Sequence, residues 1–104
     1  MATILFYVTC KDKDEAKSIA KKLLEEKLIA CANIFPEIDS FFWWQQKIDS
    51  AKEVPMILKT KKTLSKEVIT KIKELHSYEC PCIVEIPITG GYKEFLKWIC
   101  EETK

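Results

Sequence analysis

The chain has no arginine: all 17 of its basic residues are lysine, set against 16 acidic ones for a net charge of +1. That absence removes the guanidinium fork that grips phosphate, carboxylate or guanine with two parallel hydrogen bonds. Near-neutrality in turn removes the basic body that a nucleic-acid or anionic-membrane partner demands. Glycine is almost missing as well. Gly90 and Gly91, side by side and late, are the only two, so neither a dinucleotide fingerprint nor a P-loop can be written. With His76 as the only histidine, any imidazole chemistry has one route. No long apolar run exists either, because Ile4 to Val8 is too short for a signal core or a membrane span and follows no basic start. The expectation is a soluble, cytoplasmic chain with no membrane and no nucleic-acid partner.

What is present fits one domain over residues 1–104, with 47% hydrophobic and 32% charged residues. The five cysteines (Cys10, Cys31, Cys80, Cys82, Cys100) are odd in number and irregularly spaced, which reads as free thiols in a reducing compartment. Thr3 to Thr9 is apolar on both faces and β-branched, as a central strand should be. Asp12 or Asp14 can cap a helix whose inward positions are Ala16, Ile19, Ala20, Leu23, Leu24 and Leu28. Cys31 to Phe35 and Ser40 to Lys47 read as extended runs interrupted at Pro36, Asp49 to Lys52 has turn chemistry, and Val54 to Thr60 is extended again. These three runs predict a long hairpin. Thr63 or Ser65 can cap a second helix facing Leu64, Val68, Ile69, Ile72 and Leu75 inward, Ile83 to Ile88 supplies the last strand, and a final helix from Tyr92 should bury Phe95, Leu96 and Ile99. The predicted fold class is therefore α+β: a ferredoxin-like βαββαβ arrangement with an antiparallel sheet, a long central hairpin and an extra C-terminal helix.

This scaffold carries many activities, so the side chains must decide. An RNA binder of this fold stacks bases on its first and third strands, and although Phe6 or Tyr7 could serve, Val54 to Lys61 has neither aromatic nor glycine. A phosphatase lacks its guanidinium. His76 reads most simply as a helix C-terminal cap, where an imidazolium meets the negative end of the dipole. Cys80-Pro81-Cys82 puts two thiols on one face of a strand, half of a zinc site or two small apolar residues. Cys10 follows the first strand and precedes the capped helix, where a helix N-terminus can lower a thiol's pKa. Phe41-Phe42-Trp43-Trp44 sends two large aromatics to each face of a strand although a small domain has one core side. The far face needs a cover, either a second copy of the chain or a ligand.

Taken together, several segments resemble the CutA divalent-cation-tolerance family over nearly the whole chain. They are Val8-Thr9-Cys10 with Asp14-Glu15-Ala16, Leu28 to Ile34 (LIACANI), Trp43-Trp44 followed by Lys47, Met56 to Thr60 (MILKT), and the helix end through His76, Tyr78 and Glu79 to Pro81. Pro87-Ile88 and Tyr92 to Trp98 before the acidic tail complete the likeness. The resemblance implies a tight homotrimer, PII-like in architecture, without established catalysis, and tied to tolerance of divalent metals, copper among them. Animal relatives are linked to anchoring or maturation of a membrane-bound esterase. By motif, Cys10 matches the metal-binding cysteine of bacterial members and His76 the histidine of their His-Pro-Tyr segment. The sequence departs from the pattern at Leu75, where some members have a second histidine, at Ser77 for proline and at Gln46 for glycine. It departs again at Cys80-Pro81-Cys82, where Val-Pro-Glu is usual. The sheet order of this fold sets the end of the first strand beside the start of the last, so Cys10 and the segment from His76 to Cys82 can share a site. The expected metal ligands are Cys10, His76 and Glu79, holding copper or another soft divalent ion weakly, with a cysteine of the 80/82 pair or a neighbouring subunit as further donors. The expected protein is a non-enzymatic metal-tolerance trimer; a small-molecule sensor and an interaction scaffold are the alternatives.

Overall fold

A central strand with partners on both sides organises the chain, which the computed structural model describes over residues 1–104. The elements are β1 (Thr3–Cys10), α1 (Lys13–Glu25), β2 (Cys31–Ile34), β3 (Ile38–Trp44) and β4 (Lys47–Lys61). A 3-10 turn at Lys62–Leu64, α2 (Ser65–Leu75), β5 (Ile83–Ile88) and α3 (Lys93–Glu102) follow. The sheet runs β2-β4-β1-β5, antiparallel throughout, and β3 pairs with the first half of β4. This is the expected ferredoxin-like order with its long hairpin and extra helix.

Alternation along the strands decides which side is core. Ile4, Phe6, Val8 and Cys10 of β1 and Val54, Met56 and Leu58 of β4 point to one face, where they join Ala16, Ile19, Ala20 and Leu23 of α1 and Val68 and Ile72 of α2. α3 lies outside that cluster, against β4 and β1. Its one fully buried side chain is Ile99, and Lys59, which faces away from the main core, brings Nζ to 6.0 Å from the Phe95 ring. Phe95 is therefore half exposed instead of buried. Leu24, Ile69 and Leu75 also lie on the solvent side of their helices, because each sits at the margin of an apolar stripe whose centre alone reaches the sheet. No helix is long and apolar enough to cross a membrane.

Local chemistry explains the boundaries. Asp12 caps α1, its carboxylate accepting the Glu15 N–H at 2.8 Å. The helix stops before Leu28: Lys27 takes φ 56°, and the N–H groups of Lys27 and Leu28 bond the carbonyls of Leu24 and Leu23. That is the Schellman closure, with lysine where glycine is usual. α2 has no side-chain cap; Ser65 donates instead to the Glu85 carboxylate.

The hairpin turn is not where the sequence suggests. Asp49 to Lys52 lies inside β4, opposite Phe42 to Asp39, and the Lys52–Asp39 ion pair spans the two strands. The turn is Gln45-Gln46, both at positive φ (49° and 66°), between paired Trp44 and Lys47. A two-residue turn of this hand favours Asn-Gly because non-glycine residues resist the left-handed region. Restoring glycine should relieve that strain. Gln46→Gly is expected to raise stability by about 0.5–1 kcal/mol, less than the strain because glycine also frees the unfolded chain, and urea denaturation of the two proteins measures it.

Candidate metal centre

The centre lies at the junction of β1, the first turn of α1 and the segment that follows α2. Cys10 closes β1 on its core face and is fully buried. Glu15 stands in the first turn of α1. Its Oε1 accepts the Lys11 N–H at 3.0 Å, so the N-terminal backbone and the Asp12 and Glu15 side chains cap each other reciprocally. Its Oε2 accepts the Ser77 N–H at 2.9 Å, which ties the end of α2 to the start of α1. His76, the residue after α2, turns its ring inward until none of the side chain is exposed. The thiol of Cys10, a carboxylate oxygen of Glu15 and a ring nitrogen of His76 all come within 4.8 Å of one another.

Both ring nitrogens of His76 are engaged. The Tyr78 N–H donates to Nδ1 at 3.1 Å, which requires an unprotonated Nδ1, and Nε2 therefore carries the hydrogen that it donates to the Thr9 carbonyl at 2.8 Å. In the neutral ring these two bonds fix the tautomer, with the hydrogen on Nε2. His76 occupies the helix cap position, but its ring serves β1 and not the end of the α2 dipole. The Tyr78 ring packs against the His76 ring, tilted by 56° with centroids 4.7 Å apart, and its hydroxyl donates to Glu53 at 2.9 Å. That bond, after burial, holds the phenol above its ordinary pKa.

Electrostatics around the thiol run opposite to expectation. Burial first, and then the negative charges of Glu15, Asp12 and Glu53, push the Cys10 thiol up to about 12. The α1 N-terminus does not offset this, because it carries the Asp12 and Glu15 carboxylates, whose negative charge lies beside the thiol. Burial also works to raise Glu15, but hydrogen bonds from Ser77 and Lys11 and the nearby His76 outweigh it, leaving the carboxyl below its ordinary value.

Of the three expected ligands, the structure gathers Cys10 and His76 and supplies Glu15 as the third donor. Glu79 is not in that cluster. Its backbone carbonyl accepts from Lys73 Nζ at 3.1 Å, and it lines an open groove of about 730 Å³ together with Tyr7, Trp43, Glu53, Tyr78 and the exposed Cys80 and Cys82. The signal for Glu15 was in the sequence as a glutamate at the third position after the capping Asp12, although that pattern reads as a helix start and not as a ligand.

His76→Phe keeps an aromatic ring, though a larger one, but leaves the Thr9 carbonyl without its donor. The expected loss is about 1–3 kcal/mol of unfolding free energy, read from denaturant midpoints against the unaltered protein.

Comparison with known proteins bears on the family and the fold. Residues 4–102 match the family described as CutA1 divalent ion tolerance protein. The divalent-cation tolerance protein CutA of Archaeoglobus fulgidus is 55% identical over 95 residues, covering 91% of this chain and 92% of its own. That of Pyrococcus horikoshii is 46% identical over 101 residues, covering 97% and 98%. Among solved structures, the CutA of Archaeoglobus fulgidus, described as periplasmic, superposes with a TM-score of 0.95 at 50% identity over 98% of this chain and 99% of that one. CutA1 of Oryza sativa reaches 0.97 at 35% identity, covering 100% and 95%. Sequence, fold and these relatives agree, and the chain belongs to the CutA divalent-cation tolerance family.

Proposed function

We propose that this protein takes part in tolerance of divalent metals by binding a soft divalent ion, copper or zinc, at Cys10, Glu15 and His76, without turnover. The observation that carries the reading is the convergence of one sulfur, one nitrogen and one oxygen donor within 4.8 Å. Thiolate and imidazole suit copper or zinc, whereas magnesium and calcium ask for clustered oxygens. The donor set fits such an ion, and the charges favour one, since Glu15, Asp12 and Glu53 all lie near enough to raise the thiol. Two features keep the affinity modest. The thiol must give up a proton held at about 12, and Nδ1 must release the Tyr78 N–H to offer its lone pair. Cytoplasmic residence remains part of the proposal, on the strength of five unpaired thiols.

The pH dependence follows in sign. Metal binding expels the Cys10 proton, while Glu15, held low, has none to lose above the carboxylate range. Apparent affinity should rise about tenfold per pH unit. Zinc calorimetry from pH 6.5 to 8.5, in a background carrying Cys80→Ser and Cys82→Ser, is the measurement. Cys10→Ser should flatten the slope and weaken binding at least tenfold; an equal slope in both proteins would move the metal elsewhere.

We further propose that the protein assembles as a homotrimer. Phe41 and Trp43 are 75% and 73% exposed in the single chain, and Ile48, Val84, Ile86 and Trp98 add apolar surface. Exposure on that scale in a 12.1 kDa chain calls for a cover. Light scattering at micromolar concentration should return three chain masses. Trp43→Asp should shift the mass toward one, because assembly would bury an unpaired charge.

A second reading, a sensor of a small molecule, draws support from the groove, whose aromatic walls and Glu53–Tyr78 pair suit an organic ligand with a polar end. Under it, nucleotides and not metal ions would raise the melting temperature.

A further inference from the structure

The buried centre uses one of the five thiols, and two others stand together elsewhere. Cys80 and Cys82 are both exposed, both line the groove, and flank Pro81 just ahead of β5. Both residues border that one groove. Cys82 continues the β1–β5 register one step past Val8 and Ile83, which sets it beside Thr9. Cys10, the next residue of β1, points to the opposite face, into the core. The two thiol systems are thus separated by the sheet.

We propose that Cys80 and Cys82 form a second metal site, a two-thiolate clamp for a soft closed-shell monovalent cation of the Cu(I) type. Ligand count argues first. A structural zinc site takes four protein ligands, and the described chain has no third cysteine, histidine or carboxylate that closes a compact cluster with this pair. A soft monovalent ion accepts two thiolates. Geometry argues next. Only Pro81 separates Cys80 from Cys82, and both residues border one groove. Two metal–sulfur bonds of about 2.3 Å each bridge up to ~4.6 Å between sulfurs, more than twice a disulfide's length. A metal therefore bridges a wider range of sulfur separations than oxidation does, and Pro81, with φ fixed near −65°, stiffens the link between the two residues. Charge argues last. Glu53 and Glu79 line the same groove, a setting that favours a cation, while Tyr7 and Trp43 give it apolar walls.

Each thiol loses its proton to solvent as its metal–sulfur bond forms, and no electron is transferred. The site is independent of the buried centre, so that either can fail alone.

The test is anaerobic titration of the reduced full-length protein with Cu(I), in competition with a colorimetric Cu(I) chelator, and X-ray absorption on the loaded sample. One Cu(I) per chain is expected, with two sulfur neighbours and no nitrogen. Cys80→Ser and Cys82→Ser should each weaken retention at least a hundredfold, whereas Cys10→Ser should leave it within twofold. Because both residues are exposed, the single variants should keep the fold, and circular dichroism checks this. Failure of the unaltered protein to compete, retention of Cu(I) by the Cys80→Ser, Cys82→Ser double variant, or loss of binding in Cys10→Ser with the pair intact would each overturn the proposal.

Discussion

The hydrogen bond from His76 Nε2 to the Thr9 carbonyl holds the rest of the site in place. The β1–β5 ladder ends at Val8 and Ile83, so the Thr9 carbonyl lies past its last rung. On the other side Thr9 is paired with Pro55, which has no N–H to give. A buried carbonyl in that position needs a donor from outside the sheet. The ring of His76 supplies it, and in doing so fixes the path of the chain from α2 into β5. Ser77 then meets Glu15, Tyr78 meets Glu53, and Cys82 arrives beside Thr9. One constraint at the end of a strand positions both clusters of soft ligands.

The same burial sets the chemistry of the centre. Desolvation and three carboxylates keep the Cys10 thiol protonated, so it resists oxidation and alkylation, which need the thiolate. Those carboxylates change role when a dication is present, because negative charge that opposes a thiolate stabilises a metal. The site is closed to most reagents and open in principle to a cation able to displace a proton. The exposed pair at 80 and 82 has the reverse character: reachable, not committed to the core, and free of the imidazole.

Much of the fold was legible because its signals are local. The central position of β1 followed from apolar residues on both faces, α1 from an Asp cap and a regular stripe, and β5 from a run whose ends match its observed bounds. The hairpin turn was not legible. Asp49 to Lys52 has turn composition but is held straight by the partners it meets across the ladder, while Gln45-Gln46 has no turn chemistry and is bent by the strands it joins. Of the site, Cys10 and His76 were found through motif resemblance and sheet order. Glu15 was missed because its hydrogen bonds to Lys11 and Ser77 depend on contacts between elements that no spacing rule encodes. The raised Cys10 thiol was missed for a related reason: an N-terminal helix dipole can be read from sequence, but the depth of burial and the closeness of the Glu15, Asp12 and Glu53 charges cannot.

The position of β1 also bears on the order in which the chain can fold. Thr3 pairs with Lys61 on one side and Ile88 on the other, so the first strand made is among the last to be flanked. Contacts this distant in sequence close slowly, since the loop entropy must be met before they form. During synthesis β1 waits unpaired until β4 has emerged, and its other edge stays open until β5 follows. For that interval Cys10 is an ordinary exposed thiol, and whatever meets it then, a metal ion or an oxidant, does so before the native structure has shut it away.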